Sequence, residues 1–465
     1  MSSPHALVLP YPAQGHVYPL MQLSFCLLDR GFRITFVNTE FNHERVVAAM
    51  AMESGGYEVK RFHMVKIPDG LEADDRRDNL GRITEAFLRV MPQSLEKLMK
   101  ENKDSAKEER FSCFIVDGYM AWSLGVAKEM GLQTAVFWTA APGFLSFIFS
   151  IGKLIEDGVI DENGQPKKNG LIQLAPGMNP VDSSKLAWNC FDSNTRRIAF
   201  HHTFSNGKSV AEEKYILCNS FYELEKPAFN FSPNMLPVGP LHASHQYAKQ
   251  ISFGSFWSPD EACLAWLDTK PANSVVYVAF GSSTIFNQTQ FHELALGLEL
   301  MGRPFLWIVR PDMTTDTEDN DNYLRCFKER VRDRGNIMSW CPQTKVLKHP
   351  AISCFLSHCG WNSTLEGVTS GVPFLCWPYY ADQFYDQSYI TVVWRVGLSL
   401  LCDEEGIVTK DEIGSKVEEL IGDVNIKKRC LALKEMARSS VETGGSSFEN
   451  LNRFADAMRS PNYVM

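Results

Sequence analysis

Short, almost wholly apolar segments alternate along the chain with longer segments whose apolar residues recur every three or four positions. The first short segment is His5–Leu9, and the longer segment after it carries Leu20, Leu23 and Leu27 on one helical face. Apolar runs bounded by turns predict buried strands, and a recurrence of three to four predicts amphipathic helices. Their alternation predicts parallel sheets covered by helices on both faces, the α/β class.

The same pattern predicts most of the other elements. We predict strands at 33–38, 57–67, 114–117, 135–138, 215–219, 274–280, 304–310 and 351–356. We predict helices at about 78–100, directly after 114–117, and at about 447–458. Residues 150–200 lack a clear period, so they are either a surface insertion or a substrate-facing loop region, and 314–322 is predicted to be an acidic loop.

The length and the repeat of the pattern predict two domains. A chain of 465 residues exceeds one ordinary domain. The alternation starts again near residue 260, after a polar stretch that runs to about 255. We therefore expect an N-terminal domain at 1–245 and a C-terminal domain at 246–446.

Composition narrows the class of protein. The net charge of −9 disfavours nucleic acid and anionic membranes as partners, because both select clustered Lys and Arg. The 12 cysteines include no CxxC pair, a pattern typical of reduced thiols. The first residues lack the basic start and long apolar run of a secretion signal, and no run is long enough to span a bilayer. We expect a cytoplasmic protein, in which the sequon at Asn362 stays unglycosylated.

A helix start near residue 361 is a candidate anion site. The predicted strand at 351–356 leads into Ser357, His358, Cys359 and Gly360, and a helix opens at Trp361. The first N–H groups of a helix lack internal partners and carry the positive end of its dipole. The side chains of Asn362 and Ser363 add donors beside His358, so this stretch is suited to a phosphate.

A histidine and an aspartate follow separate strands at the predicted sheet edge. His16 lies in the turn after the first strand, and Asp117 ends the strand at 114–117. A carboxylate that orients a histidine makes it a general base. A structural or surface role for His16 is equally open from its spacing alone.

Other polar groups near the helix start have both ordinary and functional interpretations. Glu366 is either an exposed helical residue or a ligand for ribose hydroxyls. Trp340 is either core or a stacking platform for a base. Asp382 and Gln383 are either solvated or partners for a sugar. No glycine fingerprint for a dinucleotide and no phosphate loop of the GxxxxGK type is present, and we expect no metal at the acidic triplet 319–321.

Residues 340–383 resemble the signature box of plant family-1 UDP-dependent glycosyltransferases, through WCPQ, HCGWNSTLEG and the closing DQ. PYPAQGHVYPL, VDGYMAW, FWTAAP and VAFGSS extend the resemblance over the whole chain. It implies a GT-B fold, two Rossmann-like, doubly wound domains facing across a cleft. The C-terminal helix, at about 447–465, would pack back on the N-terminal domain.

The resemblance also implies site residues. Trp340 would stack on uracil, Glu366 would bind ribose, and His16 would deprotonate the acceptor with Asp117 paired behind it. The full set of implied donor contacts is Ser283, Trp340, Cys341, Gln343, His358, Trp361, Asn362, Ser363, Glu366, Asp382, Gln383 and Thr139. Tyr18 and Asp386 depart from the family's usual residues, which affects the expected acceptor entrance and sugar end respectively.

The implied reaction is inverting transfer of glucose from UDP-glucose, without a metal or other cofactor, by a monomer. The acceptor would be a small hydrophobic plant metabolite, a phenolic or flavonoid first and a terpenoid or steroid second. A sugar-nucleotide-binding protein without catalysis is the alternative from another class. From position alone, acceptor contacts would come from Phe87, Met91, Tyr119, Phe144, Phe147 and Trp188, any of which could be core.

Overall fold

The protein is described here from a computed structural model that covers residues 3–54, 60–72, 74–75, 77–106, 109–244, 256–257, 260–314 and 317–459. Only the backbone is described at 50–54 and 317–321. The chain forms two compact units, Met1–Trp257 with Ala437–Met465, and Ser258–Met436. The polar stretch at 245–255, where the sequence places the domain junction, lies outside the described residues.

Fifteen strands are described, and most of them are short and buried. They are β1 His5–Leu9, β2 Arg33–Thr39, β3 Phe62–Ile67, β4 Cys113–Asp117, β5 Gln133–Trp138, β6 Leu171–Ile172, β7 Val181–Asp182, β8 Ile216–Cys218, β9 Met235–Pro237, β10 Val275–Ala279, β11 Phe305–Ile308, β12 Gly335–Met338, β13 Ile352–Ser357, β14 Phe374–Cys376 and β15 Gly397–Ser399. Most of the predicted strands are confirmed to within a few residues. The predicted strand at 57–67 is described from Phe62 onward.

Sixteen α-helices are described among these residues. They are α1 Gln14–Asp29, α2 Glu40–Ser54, α3 Leu80–Lys103, α4 Leu124–Glu129, α5 Pro142–Glu156, α6 Ser193–Ala211, α7 Lys226–Phe231, α8 Ala262–Asp268, α9 Gln288–Leu300, α10 Thr317–Val331, α11 Gln343–Leu347, α12 Trp361–Ser370, α13 Gln383–Ser388, α14 Lys410–Gly422, α15 Val424–Val441 and α16 Ser446–Arg459. None of the described helices is both long and apolar enough to cross a bilayer.

Each unit contains one parallel sheet whose strand order reverses near its middle. The first sheet has the order β3-β2-β1-β4-β5-β8-β9, and the second has the order β12-β11-β10-β13-β14-β15. In the first sheet, Val8 of β1 pairs with Phe36 of β2 and with Ile115 of β4. In the second, Tyr277 of β10 pairs with Leu306 of β11 and with Phe355 of β13. Both units are therefore doubly wound, as expected, with switch points at β1/β4 and at β10/β13.

The C-terminal helix α16 completes the core of the first unit. Leu451, Phe454 and Met458 belong to the same buried cluster as Ala6 of β1 and Leu20 of α1. The ring of Phe454 meets that of Tyr215 edge to face, with 5.8 Å between centroids. The amphipathic pattern of the last helix thus buries its apolar face against residues hundreds of positions earlier.

Two segments differ from their predicted structure. The region at 150–200 is less irregular than predicted, because α5 continues to Glu156 and α6 begins at Ser193. The predicted acidic loop at 314–322 is helical from Thr317 onward. Acidic residues in the first turn of a helix are favoured by its dipole, and Phe327 packs with Trp307 at 6.0 Å. An acidic start therefore signalled a helix N-terminus here.

The predicted helix directly after β4 is also different. Residues Gly118–Ser123 form a 3-10 turn, and only then does the short α4 begin. The carboxylate of Asp117 accepts a hydrogen bond from the backbone N–H of Tyr119 at 2.9 Å. This bond ties the turn to the end of β4 and sets where Tyr119 lies.

Replacing Phe454 with alanine should destabilise the first unit by about 3–5 kcal/mol, because a fully buried ring leaves a cavity. Asp456→Ala, on the exposed face of the same helix, is the control and should change stability by less than about 0.5 kcal/mol. Urea unfolding followed by tryptophan fluorescence measures both. Equal unfolding midpoints for the two variants would contradict this packing.

Candidate active site

The switch point of the first unit brings the predicted histidine and aspartate together. His16 lies in the first turn of α1, directly after β1, and Asp117 is the last residue of β4. Because β1 and β4 are neighbours whose connections leave the sheet in opposite senses, the two side chains share one edge. Nδ1 of His16 lies 2.8 Å from Oδ2 of Asp117.

The hydrogen bonds of His16 favour one tautomer. Asp117 is completely buried, and as a carboxylate it only accepts hydrogen bonds, so Nδ1 carries the proton. The hydroxyl of Thr139 lies 2.9 Å from the same Nδ1. Nε2 is then the ring nitrogen that carries the lone pair. The side chain of His16 is 23% exposed, so the ring is both held by a carboxylate and partly accessible, as a candidate general base must be.

Aromatic rings surround His16. The ring of Tyr11 lies 5.0 Å from that of His16, and the ring of Tyr119 meets it edge to face at 5.5 Å. Phe87 lies 5.8 Å from Tyr11, and Trp138 stacks on Tyr119 at 5.2 Å. Phe87 and Tyr119 are among the predicted acceptor contacts, whereas Tyr11 was not predicted. These rings form an apolar wall beside a polar, proton-accepting group.

A second histidine supports this wall from α6, and no sequence motif marks it. Nε2 of His202 donates to the backbone carbonyl of Tyr119 at 2.8 Å. Asn206, one turn later, accepts from the backbone N–H of Trp122 at 3.0 Å. Burial lowers the pKa of His202 to about 4, so its imidazole is neutral at ordinary pH. The pair holds the turn that follows Asp117.

The remaining predicted acceptor residues have core contacts. Trp188 packs with Phe147 and Phe200, and its indole N–H donates to the carbonyl of Gly164 at 2.8 Å. Met91 is buried, and Phe144 lies 6.3 Å from Trp138 behind Tyr119. The contacts of Trp188 and Phe147 are those of core side chains and add no argument for ligand binding.

The switch point of the second unit presents two close loops. One follows β10 at 281–284, and the other joins β13 to α12 at 358–360. A Cβ built on Gly281 or on Gly360 would lie 2.5 Å from Nε2 of His358. The imidazole therefore fits against two glycine backbones at the start of α12. The strand β13, this loop and the helix α12 confirm the three elements predicted in this stretch.

His358 is neutral, which changes its possible role. Its pKa is lowered to about 4, first by burial and then by the positive charge of Arg310. A neutral imidazole contributes a hydrogen-bond donor or acceptor to an anion, but no net charge. Charge complementarity at this edge must come from the helix start and from other groups.

Gln343 links several predicted residues of this unit. Its amide nitrogen donates to Ser363 Oγ and to Glu366 Oε2, both at 2.8 Å. Its amide oxygen accepts from the hydroxyl of Tyr277 at 2.9 Å. The hydroxyl of Tyr277 also lies 3.3 Å from Cys341 Sγ. One buried network thus orients the Glu366 carboxylate and the Ser363 hydroxyl on one side of α12.

The other predicted residues of the box differ in exposure. Trp340, Asn362 and Asp382 are half-buried, so each keeps part of its side chain accessible, and Ser283 is exposed. Trp361 is only 3% exposed, and its ring lies 6.4 Å from that of Trp394.

Gln383 and Asp386 lie on α13. The amide oxygen of Gln383 accepts from the backbone N–H groups of Tyr379 and Tyr380, at 2.8 and 3.1 Å. These bonds fix the amide so that its nitrogen is the group left to donate to a ligand. Asp386 is fully buried, and its neighbour Tyr385 is 7% exposed. Tyr18, the other departure, is half-buried on α1.

Within the described part of the chain, no three His, Cys, Asp or Glu side chains converge as a metal site would require. The acidic triplet at 319–321 is helical, and its side chains lie outside the described residues.

Comparison with known proteins agrees with this arrangement. Residues 168–440 match the family model described as UDP-glucoronosyl and UDP-glucosyl transferase. The chain is 40% identical to UDP-glycosyltransferase 83A1 of Arabidopsis thaliana over 99% of its length and 98% of the relative. It is 34% identical to 7-deoxyloganetin glucosyltransferase of Gardenia jasminoides, over 98% of both.

Among solved structures, one similar chain is a UDP-glucosyltransferase from Polygonum tinctorium capable of glucosylating indoxyl, in complex with 3,4-dichloroaniline. The TM-score is 0.81 at 28% identity, covering 98% of this chain and 99% of that one. The likeness extends over both units.

Replacing Gly360 with alanine should displace His358 and cost about 1–3 kcal/mol of stability, because the new Cβ would overlap the ring. Gly414, inside α14 with open space around it, is the control, and alanine there should stabilise by roughly 0.5–1 kcal/mol. Opposite shifts of the unfolding midpoint are expected. If both alanines stabilise the protein, the fit of His358 against Gly360 is wrong.

Proposed function

Since this chain belongs to plant family-1 of UDP-dependent glycosyltransferases and has their GT-B fold, we propose that it transfers glucose from UDP-glucose to a hydroxyl of a small hydrophobic plant metabolite. The observation that carries the proposal is the 2.8 Å contact between His16 Nδ1 and Asp117 Oδ2. A histidine held in this way supports catalysis over simple retention of a sugar nucleotide.

The proposed step is a single displacement at the anomeric carbon. Nε2 of His16 takes the proton of the acceptor hydroxyl while its oxygen forms the new bond to the sugar. The bond from the anomeric carbon to UDP breaks on the opposite face, and its electron pair stays on the β-phosphate oxygen. Asp117 stabilises the imidazolium that results, and Thr139 gives Nδ1–H a second oxygen acceptor. UDP-α-glucose would thus give a β-glucoside.

We assign the donor to the residues of the second unit. Trp340 stacks on uracil, whose edge meets the backbone of Cys341 and Gln343, and Glu366 binds the ribose hydroxyls. The contact of Glu366 with the side chain of Gln343 supports this role, because the carboxylate is held ready for two hydroxyl donors. His358 binds the diphosphate as a neutral group.

The remaining donor contacts act on phosphate and sugar. Asn362, Ser363 and the N–H groups at the start of α12 bind the diphosphate with Ser283, and they stabilise the charge that develops on UDP. The carboxylate of Asp382 accepts from glucose hydroxyls, and the amide nitrogen of Gln383 donates to one. The backbone of Trp361 is a further contact of the sugar. Thr139 remains the proposed partner of the far hydroxyl of the sugar.

We propose a phenolic acceptor such as a flavonoid first. The rings of Tyr11, Phe87 and Tyr119 support this, because flat aromatic acceptors pack well against aromatic walls. A terpenoid or steroid is the second candidate, and the Gardenia relative is named for 7-deoxyloganetin rather than for a flavonoid. All 12 cysteines are free thiols, which supports a cytoplasmic location.

The direct test is UDP release from UDP-glucose in the presence of flavonoids, simple phenols, indoxyl, terpenoid alcohols and sterols. We expect turnover with at least one class, and it should persist in EDTA because no metal takes part. Tight UDP binding without turnover on any acceptor would instead favour a protein that only binds sugar nucleotides.

His16→Ala should lower kcat by about 10²–10⁴-fold, the usual contribution of a general base, while UDP binds as before. His201→Ala is the matched control, because His201 lies exposed on α6 next to the half-buried His202. Steady-state kinetics and UDP titration separate the two effects. Full activity of His16→Ala would place the base elsewhere.

Gln383→Glu should raise KM for UDP-glucose while leaving the affinity for UDP unchanged. The carboxylate can still accept from Tyr379 and Tyr380, but it offers no N–H to the sugar. Gln383→Ala loses the loop contacts as well and should be the more damaged variant. An equal loss of UDP and UDP-glucose affinity in Gln383→Glu would refute a sugar contact.

A further inference from the structure

A buried arginine lies at the phosphate end of the second unit, outside every predicted contact. Arg310 follows β11 by two residues and is only 3% exposed. In the sequence PFLWIVR, Arg310 looks like the polar residue at the end of an apolar strand. A buried guanidinium needs hydrogen-bond partners, and the partners of Arg310 show which loop it holds in place.

The guanidinium binds the loop that follows β10. Nη1 donates to the carbonyl of Gly281, and Nη2 donates to the carbonyl of Thr284 at 2.9 Å. The exposed Ser283 lies between these two anchors. Gly281 has a φ of +66° and packs against His358, so the same arginine fixes the backbone that holds the imidazole.

The charge of Arg310 is incompletely paired. Its Nε donates to Asp312 Oδ1 at 3.0 Å, but the side chain of Asp312 is 68% exposed, so water screens that attraction. Burial lowers the pKa of Arg310, yet a guanidinium stays protonated at any ordinary pH. The same positive charge contributes to keeping His358 neutral. The fixed positive charge beside this loop is therefore Arg310 and not the histidine.

We propose that Arg310 is a positioning residue for the diphosphate of the donor. It holds the loop at 281–284 in the conformation that presents Ser283, and its charge stabilises the bound anion through that loop without touching it. The inference rests on the proposed function, since it assumes that a nucleotide diphosphate binds at the start of α12. A purely structural clamp is the alternative, and it would act on every ligand of the unit alike.

Binding of UDP and of uridine distinguishes the two, because uridine keeps the base and ribose but has no phosphate. In Arg310→Gln, the affinity for UDP measured by calorimetry should fall about tenfold or more. That is the order of loss expected when one attractive charge interaction is removed. The affinity for uridine, measured by NMR titration, should stay unchanged. Arg310→Lys keeps the charge but not the bidentate hydrogen bonding, and it should lose less affinity for UDP than Arg310→Gln.

Asp312→Asn gives a prediction of opposite sign that does not depend on the folding of the arginine variants. Removing this carboxylate leaves the positive charge of Arg310 less neutralised, so UDP should bind as well as before or a few-fold more tightly. Equal losses for UDP and uridine in Arg310→Gln, or weaker UDP binding in Asp312→Asn, would overturn the inference. Failure of the unaltered protein to bind UDP would instead overturn the proposed function.

Discussion

The reversal of strand order within each parallel sheet is the constraint on which both candidate sites depend. At β1/β4 and at β10/β13, neighbouring strands send their connections to opposite faces of the sheet, which leaves their carboxyl ends uncovered. In the first unit this edge holds His16 and Asp117. In the second it holds His358 and the start of α12. Similar topology thus places a candidate general base at the edge of one sheet and a candidate anion site at the edge of the other.

Burial decides what each polar group at these edges can do. It keeps His358 and His202 neutral. His358 can therefore contact a phosphate only through hydrogen bonding, and His202 only supports the turn that contains Tyr119. Positive charge for an anion then comes from the helix dipole and from Arg310, whose charge no protonation change can remove. Electrostatic stabilisation of this kind is preorganised, because the groups are fixed by backbone contacts before a ligand arrives.

The sequence predicted the strands well because interior parallel strands are apolar throughout, and it predicted the helix start at Trp361 from its flanking loop. It missed the helix that begins at Thr317, where acidic residues look like a loop when considered alone. It could not foresee contacts between distant positions, such as Thr139 with His16 or Arg310 with Thr284, because no local pattern encodes them. Neutrality of His358 likewise follows from packing and not from spacing.

We propose that His16 activates an acceptor hydroxyl for a single displacement at the anomeric carbon of the sugar. The stereochemistry of the product tests this most directly. UDP-α-glucose and an accepted phenol should yield only the β-glucoside, recognised in the proton NMR spectrum by the large coupling between the first two sugar protons. An α-glucoside would contradict a single displacement, because attack on the face opposite the departing UDP inverts the anomeric carbon.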